Sequence, residues 1–135
     1  MPSWTARNLS DAMLKSILIV GIGSFLGGAL RFLISTLMKG ACTSSFPWGT
    51  LTVNLLGCLL IGVIYGLFAR HSNVQHAMCL LLTTGFCGGF TTFSTFANEG
   101  VQMLQGGNLG SFAAYASLSL VLGMLLVVLG YTLAR

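Results

Sequence analysis

The chain has 135 residues, of which only 6% are charged and 55% are hydrophobic. A soluble domain carries about 25% charged residues, so a water-exposed globule is excluded and the chain belongs in a lipid bilayer. Six basic residues against two acids give a net charge of +4, but Arg7, Lys15, Arg31, Lys39, Arg70 and Arg135 are scattered, which excludes a nucleic-acid patch and fits the sparse charge at membrane-helix ends.

The length predicts a single domain, with a polar leader over residues 1–14 and a transmembrane domain over 15–135. The leader reads as disordered or interfacial, and Met13-Leu14-Lys15 resembles a natural start for the first apolar run. It is not a secretory signal, because the apolar run after it is too long and has no small-residue cleavage site. Residues 16–38 form the first spanning candidate. They exceed the ~20 residues needed to cross the hydrocarbon core and carry one charge, Arg31. Gly23, Gly27 and Arg31 follow at four-residue spacing and so lie near one helical face. Small residues admit a second backbone, which directs Arg31 into protein or water; the alternative is a guanidinium that snorkels from the helix end.

Residues 39–49 contain Gly40, Ser44, Ser45 and Pro47 and read as a loop, with Trp48 at the water interface. The second span is expected over 50–69. Its one strongly polar side chain is Asn54, which either bonds to another helix as packing glue or offers an amide donor to a pore. Gly62 and Gly66 repeat the four-residue glycine spacing. Residues 70–76 form a short polar loop in which His71 and His76 are solvated, since no ligand set surrounds them. Cys42, Cys58, Cys79 and Cys87 read as small buried hydrophobes and not as a metal site or disulfide framework.

The third span is expected over 77–104 and contains the most informative stretch of the chain, Gly85-Phe86-Cys87-Gly88-Gly89-Phe90-Thr91-Thr92-Phe93-Ser94-Thr95-Phe96. Residues 77–86 read as a plain helix, after which the glycines interrupt it. Backbone freed from helical pairing inside a membrane must be satisfied by protein, water or an ion. Beyond the break, Phe93, Phe96 and Gly100 share one face and Thr92, Thr95 and Glu99 the neighbouring one. A Gly/Asn turn over 105–110 leads to the fourth span, 109–134, where Ser111, Tyr115, Ser119 and Gly123 form a four-residue stripe. The fold class is therefore an all-α membrane protein of four spans, up-down by its short loops. Four short helices enclose little space, so a pathway needs a second subunit. The basic residues are too evenly split to fix the insertion direction.

Donors dominate the polar groups of these spans: the Asn54 amide, the hydroxyls of Thr91, Thr92, Ser94, Thr95, Tyr115 and Ser119, and the Arg31 guanidinium. Phenyl edges carry partial positive charge and faces partial negative charge, so Phe93 and Phe96 suit an anion edge-on or a cation face-on. The donor excess favours a small anion. Carbonyls released at the break favour a monovalent cation held by backbone oxygen.

The segments Gly28-Ala29-Leu30-Arg31, Thr50-Leu51-Thr52-Val53-Asn54-Leu55-Leu56-Gly57 and Gly88-Gly89-Phe90-Thr91-Thr92-Phe93-Ser94-Thr95-Phe96 closely resemble the Fluc/CrcB family of small bacterial fluoride channels. The resemblance covers nearly the whole chain from Met13 onward. It implies an antiparallel, dual-topology homodimer in the cell inner membrane, with two narrow fluoride pathways and a third helix broken at Gly88–Thr91. One structural Na+ at the dimer centre would be held by the backbone carbonyls of Gly88 and Thr91. By motif position, Phe93 and Phe96 would line the pathway with Asn54, while Thr50, Thr95, Tyr115 and Ser119 would provide a polar track and Arg31 the vestibule charge. The implied activity is passive fluoride efflux that lowers toxicity; the protein would not be an enzyme, and its partners would be fluoride, a second copy and lipid. Two departures are the longer leader and Gly123, which places no hydroxyl at that end of the stripe.

The rival reading is a small multidrug-resistance-type exporter, also short and four-helical, which exchanges protons for cationic drugs through a carboxylate in the first helix. Here that helix carries Arg31. A structural subunit without transport is a third reading.

Overall fold

The computed structural model describes residues 3–71 and 76–135, and every element among them is helical. In chain order these are α1 (Ser3–Ala41), α2 (Trp48–Arg70), α3 (His76–Leu80), a π-helical segment (Leu81–Cys87), α4 (Gly88–Phe90), α5 (Phe93–Gln105) and α6 (Leu109–Ala134). Four stretches are long and apolar enough to cross a membrane: Asn8–Ala41, Trp48–Arg70, His76–Gln105 and Leu109–Ala134. The middle of the expected 70–76 loop, residues 72–75, lies outside the described residues.

Of the two readings of the leader, disordered or interfacial, the first does not hold. From Ser3 the chain is already helical and runs without interruption into the first span, in place of a disordered segment ahead of it. At 1.5 Å per residue this 39-residue helix is about 58 Å long, against a hydrocarbon core of ~30 Å. The connection between α1 and α2 is shorter than expected, and α2 begins at Trp48.

Burial is inverted relative to a soluble protein. Leu18, Phe25, Leu37, Leu120, Met124 and Leu133 are exposed, while the interior is small and centres on Val53, Cys87, Phe90 and Tyr115. Lipid supplies no hydrophobic drive between helices, so association rests on close van der Waals packing at small residues. The glycines show where that packing occurs. A Cβ on Gly23 would lie 2.8 Å from the Phe86 backbone nitrogen, and one on Gly27 would meet the Phe86 carbonyl and lie 2.8 Å from the Phe90 nitrogen. On the other side of the contact, a Cβ on Gly89 would approach the Ser24 carbonyl oxygen to 2.5 Å, and one on Gly85 would lie 3.0 Å from Gly23 Cα. Thus α1 and the first half of the third span touch backbone to backbone. The second tight pair is α2 with α6: Gly66 faces the Tyr131 carbonyl (2.6 Å), and Gly130 faces the Leu59 carbonyl (2.5 Å).

This packing corrects the expectation for the third span. Residues 77–86 are not a plain α-helix, because the wider π-helical turn begins at Leu81. Gly85, Gly88 and Gly89 do not interrupt the helix; Gly88 itself is helical (φ −63°, ψ −37°). Gly85 and Gly89 make room for α1. The chain leaves helical geometry further on, at Thr91 (φ −80°, ψ 158°) and Thr92 (φ −149°, ψ 117°), and resumes it at Phe93.

Gly27→Ala is expected to destabilise the detergent-solubilised protein by about 1–3 kcal/mol, because the added methyl meets backbone that cannot rotate away. Gly21→Ala, where nothing lies within 4 Å, is expected to be neutral or to stabilise by up to about 1 kcal/mol through helix propensity. Thermal unfolding of the two variants in the same detergent checks the contrast.

Candidate functional site

The site forms where the extended Thr91–Thr92 segment meets α2. Asn54 Nδ2 donates to the Thr92 carbonyl at 3.1 Å, and the Thr92 N–H donates to Asn54 Oδ1 at 2.8 Å. The side-chain amide thereby acts as a second strand, satisfying both main-chain groups of a residue outside any helix. Thr92 then starts α5: its Oγ1 accepts from the Thr95 N–H at 3.3 Å and donates to Thr95 Oγ1 at 3.0 Å. This is the arrangement that favours threonine as an N-cap. Upstream, the Cys87 carbonyl accepts from both the Thr91 N–H (3.0 Å) and Thr91 Oγ1 (2.9 Å). The Gly89 carbonyl accepts from Arg31 Nε at 3.2 Å. Among the described residues no hydrogen bond reaches the carbonyls of Gly88 or Thr91.

Two spaces adjoin this segment. The first is a cavity of about 540 Å³ between α1, α2, α5 and the 42–47 loop, bordered by Arg31, Lys39, Thr50, Thr95, Glu99 and Asn108 among others. Thr50, at the start of α2, donates to Glu99 Oε1 at 2.8 Å, and Tyr115 of α6 donates to Glu99 Oε2 at 2.8 Å. The second space is a groove of about 380 Å³ lined by Asn54, Cys58, Cys87, Phe93, Phe96 and Ser119 among others. Thr92 borders both spaces. Phe96 lines the groove, and its ring lies 4.9 Å from that of Tyr115 and 5.7 Å from that of Phe93.

The residues singled out from the sequence are thus brought together in two groups. Arg31, Thr50 and Thr95 border the cavity, with Tyr115 joined to it through Glu99. Asn54, Phe93, Phe96 and Ser119 line the groove, together with Gly88 and Thr91. Asn54 does bond to another span, at its extended segment, and it lines the groove too, so its two sequence readings are not exclusive. Arg31 points at protein and not along the helix toward its end, which sets the snorkelling reading aside. Ser119 is notable because its hydroxyl oxygen is buried without a hydrogen-bond partner. A buried hydroxyl in that condition carries a desolvation penalty unless something in the groove pairs with it. Phe93 is 79% exposed and Gly88 is exposed as well, so the groove opens on the outer face of the single chain.

Glu99 is the residue that sequence reasoning noted without giving it a role. The signal was its isolation, as the one acid after Asp11 in the sequence. What could not be read was that hydroxyls from two other helices would bracket it.

Four helical stretches long and apolar enough to cross a membrane, with a donor-lined cavity and a groove that meet at an extended segment, define a multi-pass membrane protein. Sequence comparison agrees in class. Residues 18–131 match the family model described as CrcB-like protein, Camphor Resistance (CrcB). The chain is 48% identical over 117 residues to a protein of Phocaeicola vulgatus named fluoride-specific ion channel FluC, covering 87% of this chain and 96% of the relative. Proteins of the same name from Azobacteroides pseudotrichonymphae and Clostridium perfringens are 42% identical over 123 residues and 46% identical over 118 residues. These alignments cover 91% and 87% of this chain and 98% and 92% of the relatives. The chain belongs to the CrcB-like family.

Asn54→Asp is expected to destabilise the fold by about 1–3 kcal/mol, because the carboxylate loses the donor to Thr92 and repels that carbonyl. Asn54→Gln, which keeps the chemistry but moves it by one methylene, is expected to fall between the two. Unfolding midpoints in detergent at constant salt rank the three proteins.

Proposed function

We propose that this protein is a fluoride-specific ion channel that releases fluoride passively from the cytoplasm and so lowers its toxicity. Membership of the family and the name shared by its relatives support this reading, and a channel of that kind is not an enzyme. The observation in the site that carries it is the unpartnered Ser119 hydroxyl, buried in a groove it shares with Asn54, Phe93 and Phe96. A small anion accepts from such a donor. Phe93 and Phe96 line the same groove, and their ring edges, which carry partial positive charge, would suit an anion there.

The route begins in the cavity beside Arg31 and Lys39, whose charges raise the local anion concentration. It continues past Thr95 and Thr92 to Phe96, and then along the groove to Ser119 and Asn54. At each point the chain offers hydroxyl or amide donors in place of water. Close fit of these donors and ring edges around a small anion favours fluoride over chloride. No proton is needed: the inside-negative potential drives the anion outward by about 2.3 kcal/mol per charge per 100 mV.

The working unit on this reading is an antiparallel, dual-topology homodimer in the cell inner membrane. Phe93, Gly88 and the unpaired carbonyls lie at the outer face of one chain, and main-chain groups facing lipid without partners are strongly unfavourable. A second copy packed on this face covers them and turns the open groove into an enclosed pathway. The donor set fits a sodium ion at the two-fold axis: Gly88 and Thr91 of each copy bring neutral oxygens, which suit a hard cation of low charge. A sodium ion there supplies the positive charge that these carbonyls lack. The residues' own part is to hold the oxygens in place, through the Asn54 bracket on one side and the doubly accepting Cys87 carbonyl on the other.

The exporter reading requires a carboxylate in the first span. The acid of α1, Asp11, is exposed near the N-terminal end of that helix. Among the described residues the side chains of α1 that hydrogen-bond to another span are Ser24 and Arg31, which donate to the Gly85 and Gly89 carbonyls, so nothing there favours it.

Proteoliposomes loaded with fluoride are expected to empty without any proton gradient, while chloride-loaded vesicles do not. Phe96→Ile is expected to slow fluoride efflux by about tenfold or more, equivalent to ~1.4 kcal/mol. Proton-coupled loss of a lipophilic cation, with no fluoride release, would reverse the assignment.

A further inference from the structure

Arg31 borders the cavity, yet its Nε is committed to the Gly89 carbonyl. In a continuous helix that carbonyl would accept from the N–H of residue 93. The extended backbone at Thr91 and Thr92 removes that partner, and Arg31 replaces it. Its position is fixed from α1. Gly27, one turn earlier on the same face, lies flush on Phe86 and Phe90, and Gly89 lies flush on Ser24. The two backbones therefore approach so closely that a side chain from position 31 reaches a main-chain oxygen of the third span.

We propose that Arg31 is a positioning residue for the cation site: by holding the Gly89 carbonyl it sets the directions of the neighbouring Gly88 and Thr91 carbonyls, and so the sodium affinity. The inference rests on the sodium reading of the proposed function. Each residue has two soft backbone torsions, so the short path from Gly88 to Thr91 has few degrees of freedom. Cys87 anchors its start through two bonds from Thr91, and Asn54 anchors Thr92 at its end. The Gly89 peptide between them is anchored by Arg31. A guanidinium presents five donors in a rigid plane, so one edge can hold a carbonyl while the other donors remain for the cavity. An ammonium group keeps the charge but presents it as a flexible point, without the fixed fork. The guanidinium also places a positive charge near a cation site, which opposes binding, so the informative substitution is the one that keeps the charge.

Wild-type protein and Arg31→Lys are compared in detergent by thermal unfolding over a sodium titration, with choline holding ionic strength constant. A ligand that binds only the folded state raises the midpoint as its concentration passes its dissociation constant, so the titration reads sodium affinity independently of transport. Loss of a hydrogen bond from a charged donor is expected to move the half-stabilising sodium concentration about tenfold higher. Fluoride efflux from R31K vesicles is expected to recover toward wild type when sodium is raised by the same factor. Lys39→Gln serves as the comparison: it removes a charge from the same cavity and is expected to leave the sodium titration where it is while slowing efflux at low fluoride. An R31K titration that superimposes on wild type overturns the inference, as does an efflux deficit that sodium does not relieve. A wild-type midpoint that ignores sodium removes the sodium reading and this inference together, which separates that failure from the first. If R31K does not fold at low sodium, purification at high sodium is expected to restore it, and misfolding that sodium cannot rescue counts against the proposal.

Discussion

The structure depends on how two residues of non-helical backbone are satisfied inside a membrane-spanning bundle. Thr91 and Thr92 leave the helical pattern within a span, where main-chain groups cannot be left facing lipid. The bracket from Asn54 to both main-chain groups of Thr92 is the main answer. It explains why an otherwise apolar α2 carries an asparagine at this height. It also fixes the start of α5, and with it the directions in which Phe93, Phe96, Thr95 and Glu99 project.

The glycine packing is the second constraint, because it brings the elements close enough for those bonds. A Cβ on Gly57 would collide with the Thr91 side chain, and one on Gly23 or Gly27 with the backbone of the third span. Without these contacts neither Asn54 nor Arg31 would reach main-chain atoms. The π-helical turn from Leu81 to Cys87 belongs to the same arrangement. The Gly85 carbonyl accepts from the Gly88 N–H and also from Ser24 Oγ at 3.3 Å, which adds a polar tie to an interface made of backbone contact. Turns of this kind often occur at functional sites.

Function follows from leaving some of these groups unsatisfied. Most polar groups around the extended segment are paired within the chain. The Ser119 hydroxyl and the carbonyls of Gly88 and Thr91 stand apart. The two kinds of vacancy differ in chemistry: a side-chain hydroxyl in the groove, and main-chain oxygens at Gly88 and Thr91. On the proposed function the first would serve an anion and the second a cation, with no carboxylate lining the groove. The single acid nearby, Glu99, is held by Thr50 and Tyr115 in the cavity.

Composition and hydropathy alone determined that this is a four-span membrane protein, because the absence of charge over runs long enough to cross a bilayer leaves no soluble alternative. The four-residue glycine spacing determined which face of α1 would meet another helix, and Asn54, Phe93, Phe96 and Ser119, singled out by their chemistry, are brought together along one groove. Tertiary structure decided what local sequence does not encode. Glycines read as helix breakers stay helical, and Gly85 and Gly89 serve close contact with α1, because a missing side chain is equally compatible with a bend and with a neighbouring backbone. The departure from helix falls instead at Thr91–Thr92, where a side chain 38 residues away captures the main chain. The pairing of Arg31 with Gly89 and of Glu99 with Thr50 and Tyr115 likewise joins residues far apart in sequence, and such contacts exist only once the helices have packed.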